Sequence, residues 1–241
     1  MKIIGIGKNY ALHNQEMEGE AYKPKAPVVF LKPDSALQKP GKPFFVPDDL
    51  GRIDYETELV IRICRLGKNI AERFAYRYYD AVTVGLDFTA RDLQQQAKEA
   101  GLPWTISKGF DSSAVIGEWV EPGSRMLFHL EKNGVKVQEG CSDDMLYRID
   151  ELISYVSHFF TMKTGDLIFT GTPAGVGPVS IGDHLTGKQI VAILKININI
   201  LTQIGSKGFF ILKIYKSDCL KTICFLKNLY QEISFFNASE N

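Results

Sequence analysis

The sequence predicts an α+β fold in which strands outnumber helices, and three observations carry this reading. Short apolar or alternating runs bounded by Gly, Pro, Asn and Asp recur along the chain, which is the pattern of strands joined by turns. The segment "LFHLEKNGVKVQEG" centres on Asn133-Gly134, the best short-range hairpin signal. Helical spacing of apolar residues is confined to a few segments, among them "RIDELISYVSHFFT" with Ile149, Leu152, Ile153, Val156, Phe159 and Phe160.

Taken in order, "MKIIGIG", "APVVFLKP" and "ELVIRIC" read as strands. "RFAYRYYDAV" suits a helix that runs into the strand "VTVGLDF". "TARDLQQQAKEAG" follows as a helix with Thr89 as N-cap, Asp92 in the first turn and Gly101 as terminator. Asp87 is thereby placed at a strand end just before a helix. The hairpin comes next, then the helix of "RIDELISYVSHFFT", whose apolar stripe should pack on the sheet. A turn-rich "TGTPAGVG" and a last strand, "IVAILKINI", complete the body. From about residue 201 the composition shifts to Ile, Phe, Lys and Asn with little pattern. The reading is therefore a catalytic domain over 1–200 and an extension of unknown role over 201–241.

With 241 residues and 45% apolar content, the chain can bury one sizeable core. Its 28 basic and 28 acidic residues balance, and no block of Lys or Arg is dense enough for a nucleic-acid or lipid-headgroup surface. Cys64, Cys141, Cys219 and Cys224 are scattered without disulfide or zinc spacing. The start turns polar after six residues, and no apolar stretch approaches the ~20 residues of a membrane span, so the expectation is a cytoplasmic protein.

Several segments carry candidate chemistry. In "DYETELVIRI", Glu56 and Glu58 lie two apart on a strand, so their carboxylates project to one face. On a watered face the pair is a solvated edge; on a buried face the like charges must hold a cation or a proton. His13 and Glu16 share a face if "NYALHNQE" is helical, which suits a base oriented by a carboxylate or an exposed polar surface. Lys108 follows an aromatic and apolar run, and if buried it needs an anionic partner. "GIGKNY" has Tyr10 where a dinucleotide fingerprint needs its third Gly, and "TGTPAGVG" lacks the Gly-Lys-Ser/Thr of a P-loop. The amides and the Thr170 and Thr172 hydroxyls of that segment could still hold a carboxylate or an enolate, or form only a tight turn. His129, His158 and His184 show no ligand spacing.

The segments "GKNYALHNQE", "PVVFLKPDSAL", "DYETEL", "GLDFTARDLQ", "GLPWTISKGFD" and "TGTPAGVG" stand together in one order. In that order the chain resembles the fumarylacetoacetate hydrolase family over residues 1 to about 198, most of all its acylpyruvase and oxaloacetate-decarboxylase branch. The resemblance implies a mixed β-roll with a few packed helices, a homodimer, and Mg²⁺ or Mn²⁺ held by Glu56, Glu58 and Asp87. Three carboxylates without a soft ligand agree with a hard, six-coordinate cation.

The implied activity is cleavage of C–C bonds in small 2-oxo acids through a metal-stabilised enolate, by acylpyruvate hydrolysis or oxaloacetate decarboxylation. By the same resemblance His13 oriented by Glu16 activates water, Lys108 neutralises the bound carboxylate, and Gln94 and Thr172 position the substrate. Arg91 and Asp92 either support the site or are structural. Alternative readings are an oxaloacetate tautomerase or sugar-acid dehydratase of the same family, or a non-catalytic keto-acid-binding β-roll.

Overall fold

The computed structural model describes residues 1–39, 42–189 and 192–199. Its elements begin with β1 (Ile3–Gly7), α1 (Ala11–Glu18), β2 (Val28–Lys32), β3 (Ile53–Tyr55) and β4 (Thr57–Ile63). There follow β5 (Tyr79–Asp87), β6 (Thr89–Ala90), α2 (Arg91–Glu99), α3 (Thr105–Gly109) and β7 (Ala114–Ile116). The remainder is β8 (Leu127–Lys132), β9 (Val135–Cys141), α4 (Ile149–Phe159), β10 (Leu167–Phe169), β11 (Gly177–Pro178), β12 (His184–Gln189) and β13 (Ala192–Asn199).

Among the described residues these strands form three sheets. The largest has the order β2-β1-β10-β4-β5-β7, with β1 and β10 parallel and the other pairs antiparallel. A small sheet runs β11-β3-β6, and a meander runs β13-β12-β8-β9. This is the expected α+β, mixed-sheet architecture with few helices. The hairpin forms at Asn133 and Gly134, whose φ values of +53° and +81° are those of a turn that matches strand twist. No helix among the described residues is long and apolar enough to cross a membrane.

The Gly-x-Gly of β1 has a packing cause. A Cβ on Gly5 would lie 2.1 Å from the Phe30 ring, and one on Gly7 would lie 3.0 Å from Trp104, so the absence of side chains lets two aromatic rings rest on this strand. Buried Ile4 and Ile6 on β1, Leu59 and Ile61 on β4, and Val82 and Val84 on β5 continue into one core with Leu152, Ile153 and Val156 of α4.

Three local expectations differ from the structure. "RFAYRYYDAV" overlaps a 3₁₀ helix over Glu72–Arg77 and joins β5 already at Tyr79, because its aromatic and apolar residues serve strand pairing with β4. Thr89 is not an N-cap: it belongs to β6, the helix starts after Ala90, and the Thr89 hydroxyl accepts a hydrogen bond from Lys108. Gly101 does take a left-handed φ of +66°, just beyond the helix end. Phe159 is 60% exposed, since the buried stripe of α4 is completed by Val156 and Ser157 instead. The proposed 201–241 extension, with Cys219 and Cys224, lies outside the described residues.

Candidate active site

The acidic cluster follows from strand register. The chain leaves the small sheet for the large one at Glu56, between β3 and β4, and makes the reverse change at Phe88, between β5 and β6. Thr57 pairs with Leu86, and the Asp87 amide donates to the Glu56 carbonyl at 2.8 Å. Glu56 and Asp87 are therefore cross-strand neighbours, and Glu58 lies two residues along the chain from Glu56. Carboxylate oxygens of Glu56, Glu58 and Asp87 lie within 4.8 Å of one another, and all three residues are buried. The solvated-edge reading of the Glu pair is excluded.

Cations from three elements close on this cluster. Lys108, on α3, donates from Nζ to Glu56 Oε2, Asp87 Oδ2 and Thr89 Oγ1, each at 2.7 Å. Arg91, at the start of α2, donates to Glu56 Oε1 at 2.7 Å, Asp54 Oδ2 at 2.8 Å and Gln94 Oε1 at 2.7 Å. Lys32, at the end of β2, has a wholly buried side chain with Nζ 2.5 Å from Asp87 Oδ1, a contact of charges without hydrogen-bond alignment. Its aligned bonds include Ser113 Oγ at 3.0 Å and the Lys108 carbonyl. Glu58 is held differently: its Oε2 accepts from the Gly171 amide at 2.7 Å.

These surroundings drive the carboxyls apart in pKa. Burial works to raise Glu56, but the Lys108 ammonium and Arg91 guanidinium outweigh it and hold the carboxyl far below its usual range. Burial pushes Glu58 well above that range, and the charges of Asp87 and Glu56 push it further. Burial would lower Lys108, yet Asp87 and Glu56 hold its ammonium above the ordinary value, whereas burial prevails for Lys32. Glu58 thus calls for a proton or a cation. Among the described residues the donors converging there are hard oxygens without sulfur or imidazole, and Asp87 Oδ1 lacks an aligned donor, so the residues fit Mg²⁺ or Mn²⁺.

Gly171 supports Glu58 from a backbone that few other residues can adopt. Its φ is +103°, and a Cβ would lie 2.7 Å from Asn9 Cβ and 3.2 Å from the Ile6 carbonyl. Gly171→Ala is expected to displace the amide that holds Glu58, reducing Mn²⁺ affinity by about 10–100-fold as loss of an outer partner does. Strain should also lower stability by ~1–3 kcal/mol. Calorimetric Mn²⁺ titration and thermal melting check both effects, and an unchanged affinity would contradict the supporting role.

His13 and Glu16 do share a face of α1, with His13 Nδ1 3.4 Å from Glu16 Oε2. Burial opposes ionisation of Glu16, but the contacts with His13 and the Gly175 amide, 3.1 Å from each carboxylate oxygen, keep its carboxyl below the ordinary value. His13, Glu56, Glu58, Asp87, Gln94, Lys108 and Thr172 line one pocket with an empty volume of about 440 Å³ including its mouth, and Glu16 stands behind His13. The Thr172 hydroxyl accepts from Gln138 Nε2 at 2.9 Å, while Gln138 Oε1 accepts from the Thr57 amide at 2.9 Å.

Lys32 and Gln138 were not foreseen as parts of this site, and Gly171 was marked only as one of the amides of "TGTPAGVG". Lys32 had a signal, since in "VVFLK" it shares a strand face with Phe30 and Val28. Gln138 had none: in "VKVQEG" the valines, not Gln138, occupy the apolar positions, yet Val135 is exposed and Gln138 buried. Of the two residues left open, Arg91 binds Glu56 directly, whereas the Asp92 carboxylate accepts from the Arg52 amide.

A model described as fumarylacetoacetate (FAA) hydrolase C-terminal matches residues 2–205. The mitochondrial oxaloacetate tautomerase FAHD1 of Arabidopsis thaliana is 40% identical over 190 residues, spanning 77% of this chain and 84% of that protein. Oxaloacetate tautomerase YcgM of Escherichia coli (strain K12) is 39% identical over 192 residues, spanning 77% and 86%. Among solved structures, fumarylpyruvate hydrolase from Pseudomonas aeruginosa in complex with Mn²⁺ and pyruvate is similar with a TM-score of 0.78 at 32% identity, covering 84% of this chain and 90% of that one. With six ordered motifs, the mixed sheets and the acidic corner beneath these matches, the chain belongs to the fumarylacetoacetate hydrolase family.

Proposed function

We propose that this chain is a divalent-metal-dependent enzyme that enolises small 2-oxo acids, with keto–enol tautomerisation of oxaloacetate as its reaction. The carrying observation is the buried triad of Glu56, Glu58 and Asp87, opening on one pocket with His13 and Lys108. Relatives named oxaloacetate tautomerases, 39–40% identical over three quarters of the chain, favour that reaction within the class. A divalent cation held by the triad would supply Lewis-acid stabilisation of the negative charge that develops at the C2 oxygen. In this reading His13, oriented by Glu16, takes a proton from C3 and returns it. Lys108, kept charged by Glu56 and Asp87, offsets added negative charge, and Gln94 and Thr172 offer polar contacts to the substrate.

A second reading is cleavage of the C3–C4 bond through the same enolate, by acylpyruvate hydrolysis or oxaloacetate decarboxylation. The His13–Glu16 pair favours hydrolysis, because an oriented imidazole also suits activation of water. The fumarylpyruvate hydrolase similarity points the same way. The test follows oxaloacetate enol, oxaloacetate consumption and acid release from acetylpyruvate with the protein and Mg²⁺ or Mn²⁺, against metal alone. Enol interconversion above the metal-only rate with little cleavage is the expected result. Dominant acetylpyruvate hydrolysis would replace the first reading by the second, and no acceleration of either would reject both.

A further inference from the structure

The pocket that holds the carboxylates is also lined by two less deeply buried lysines, Lys8 and Lys98. Lys8 follows β1 with φ +59°, and its Nζ lies 2.8 Å from both the Tyr22 hydroxyl and Glu18 Oε1. Lys98 Nζ lies 3.6 Å from the same Glu18 oxygen and 5.6 Å from the Trp104 ring centre, and donates no hydrogen bond among the described residues. Each lysine side chain is only 25% exposed. Two shielded ammoniums therefore share one carboxylate, leaving a net positive charge at the mouth.

Sequence spacing explains the placement. Arg91, Gln94 and Lys98 recur at i, i+3 and i+7 on α2, so one helix face carries all three along the pocket. Arg91 touches Glu56, and Lys98 lies about 6 Å farther along the axis than Gln94. Phe30 and Trp104, whose ring centres are 6.1 Å apart, supply apolar wall between the inner and outer charges.

We infer that Lys8 and Lys98 bind the distal carboxylate of a 2-oxo dicarboxylic acid, so that this chain selects dicarboxylic over monocarboxylic 2-oxo acids. The inference rests on the 2-oxo acid reading of the triad. A carboxylate at the mouth gives Lys98 the hydrogen bonds it otherwise lacks and separates two like charges. Burial lowers the Lys98 pKa, Glu18 opposes this, and Lys8 and Arg91 add to the lowering, so a second anion favours the charged lysine. Glu18 acts as the internal competitor for that anion.

The test titrates the full-length, Mn²⁺-loaded protein calorimetrically with 2-oxoglutarate and 2-oxopentanoate, which have the same carbon chain length and differ by a terminal carboxylate in place of a methyl. The wild type should prefer 2-oxoglutarate by about 10–100-fold, the worth of charge-assisted hydrogen bonds. Lys98→Met, which keeps an unbranched stem, and Lys8→Met should each shrink that ratio about tenfold, while Glu18→Gln should enlarge it. The opposite sign for Glu18→Gln distinguishes anion binding from a general disturbance of the pocket. A wild-type ratio near one, or equal losses for both ligands in the lysine variants, would overturn the inference. Failure of both keto acids to bind the loaded wild type would instead reject the 2-oxo acid reading, and the inference with it.

Discussion

Glu58→Gln is expected to lower Mn²⁺ affinity by more than about 10²-fold while the fold persists. Loss of an outer partner of a metal ligand commonly lowers affinity by about 10–100-fold, so loss of a charged ligand should exceed that. The fold survives because Glu58 is the triad member without a cationic side chain bonded to it among the described residues: Lys108 and Arg91 bind Glu56, and Lys108 and Lys32 contact Asp87. An isosteric amide can still accept the Gly171 hydrogen bond and removes a like-charge repulsion. Corresponding changes at Glu56 or Asp87 would leave buried ammonium or guanidinium groups short of charge.

The same variant has a pH signature without metal. Glu58 titrates well above its ordinary 4.5 in the folded chain, so its contribution to stability is full below pH 4.5 and is lost as pH rises towards the raised folded value. Gln cannot titrate, and with a chelator present the variant should gain melting temperature relative to wild type as pH rises above 4.5. Calorimetry tests the first claim and melting at several pH values the second. Unchanged Mn²⁺ binding would remove Glu58 from the ligand set.

What sequence could resolve here was short-range. Period-two alternation placed Glu56 and Glu58 side by side, and helical spacing paired His13 with Glu16, because both relations are set by local backbone geometry. Asp87 joins the Glu pair only because β4 and β5 pair with Thr57 opposite Leu86, a register that no local pattern specifies and that motif order alone suggested. Burial of the triad was likewise undecidable from the alternating strand, since β4 is covered on both faces. Lys32 and Gln138 reach the site from β2 and β9, across 55 and 81 residues of chain to Asp87 and Thr57. Thr89 misled because it matches an N-cap in sequence, whereas the second sheet and the Lys108 ammonium claim it first.

His13→Ala should separate the reactions this pocket can run. Hydrolysis of an acylpyruvate needs a water made nucleophilic at C4, so removal of a positioned base should slow it by roughly 10²–10⁴-fold. Oxaloacetate decarboxylation needs charge stabilisation as CO₂ departs and only a later proton, so it should fall less. Tautomerisation moves a proton at C3 in its defining step and should fall as far as hydrolysis if His13 is that base. Mn²⁺ affinity should stay the same in the variant, because the imidazole is not among the converging carboxylate donors. Glu16→Gln should lose less than His13→Ala, since the Gly175 amide can still hold the side chain while the charge that steadies His13 is gone. The measurement is kcat/KM for acetylpyruvate hydrolysis, oxaloacetate tautomerisation and oxaloacetate decarboxylation at saturating Mg²⁺ in wild type and both variants. Equal losses in all three would assign His13 to a shared step such as ordering the pocket. Intact tautomerisation with lost hydrolysis would restrict it to water activation, leaving the C3 proton to another group in the pocket.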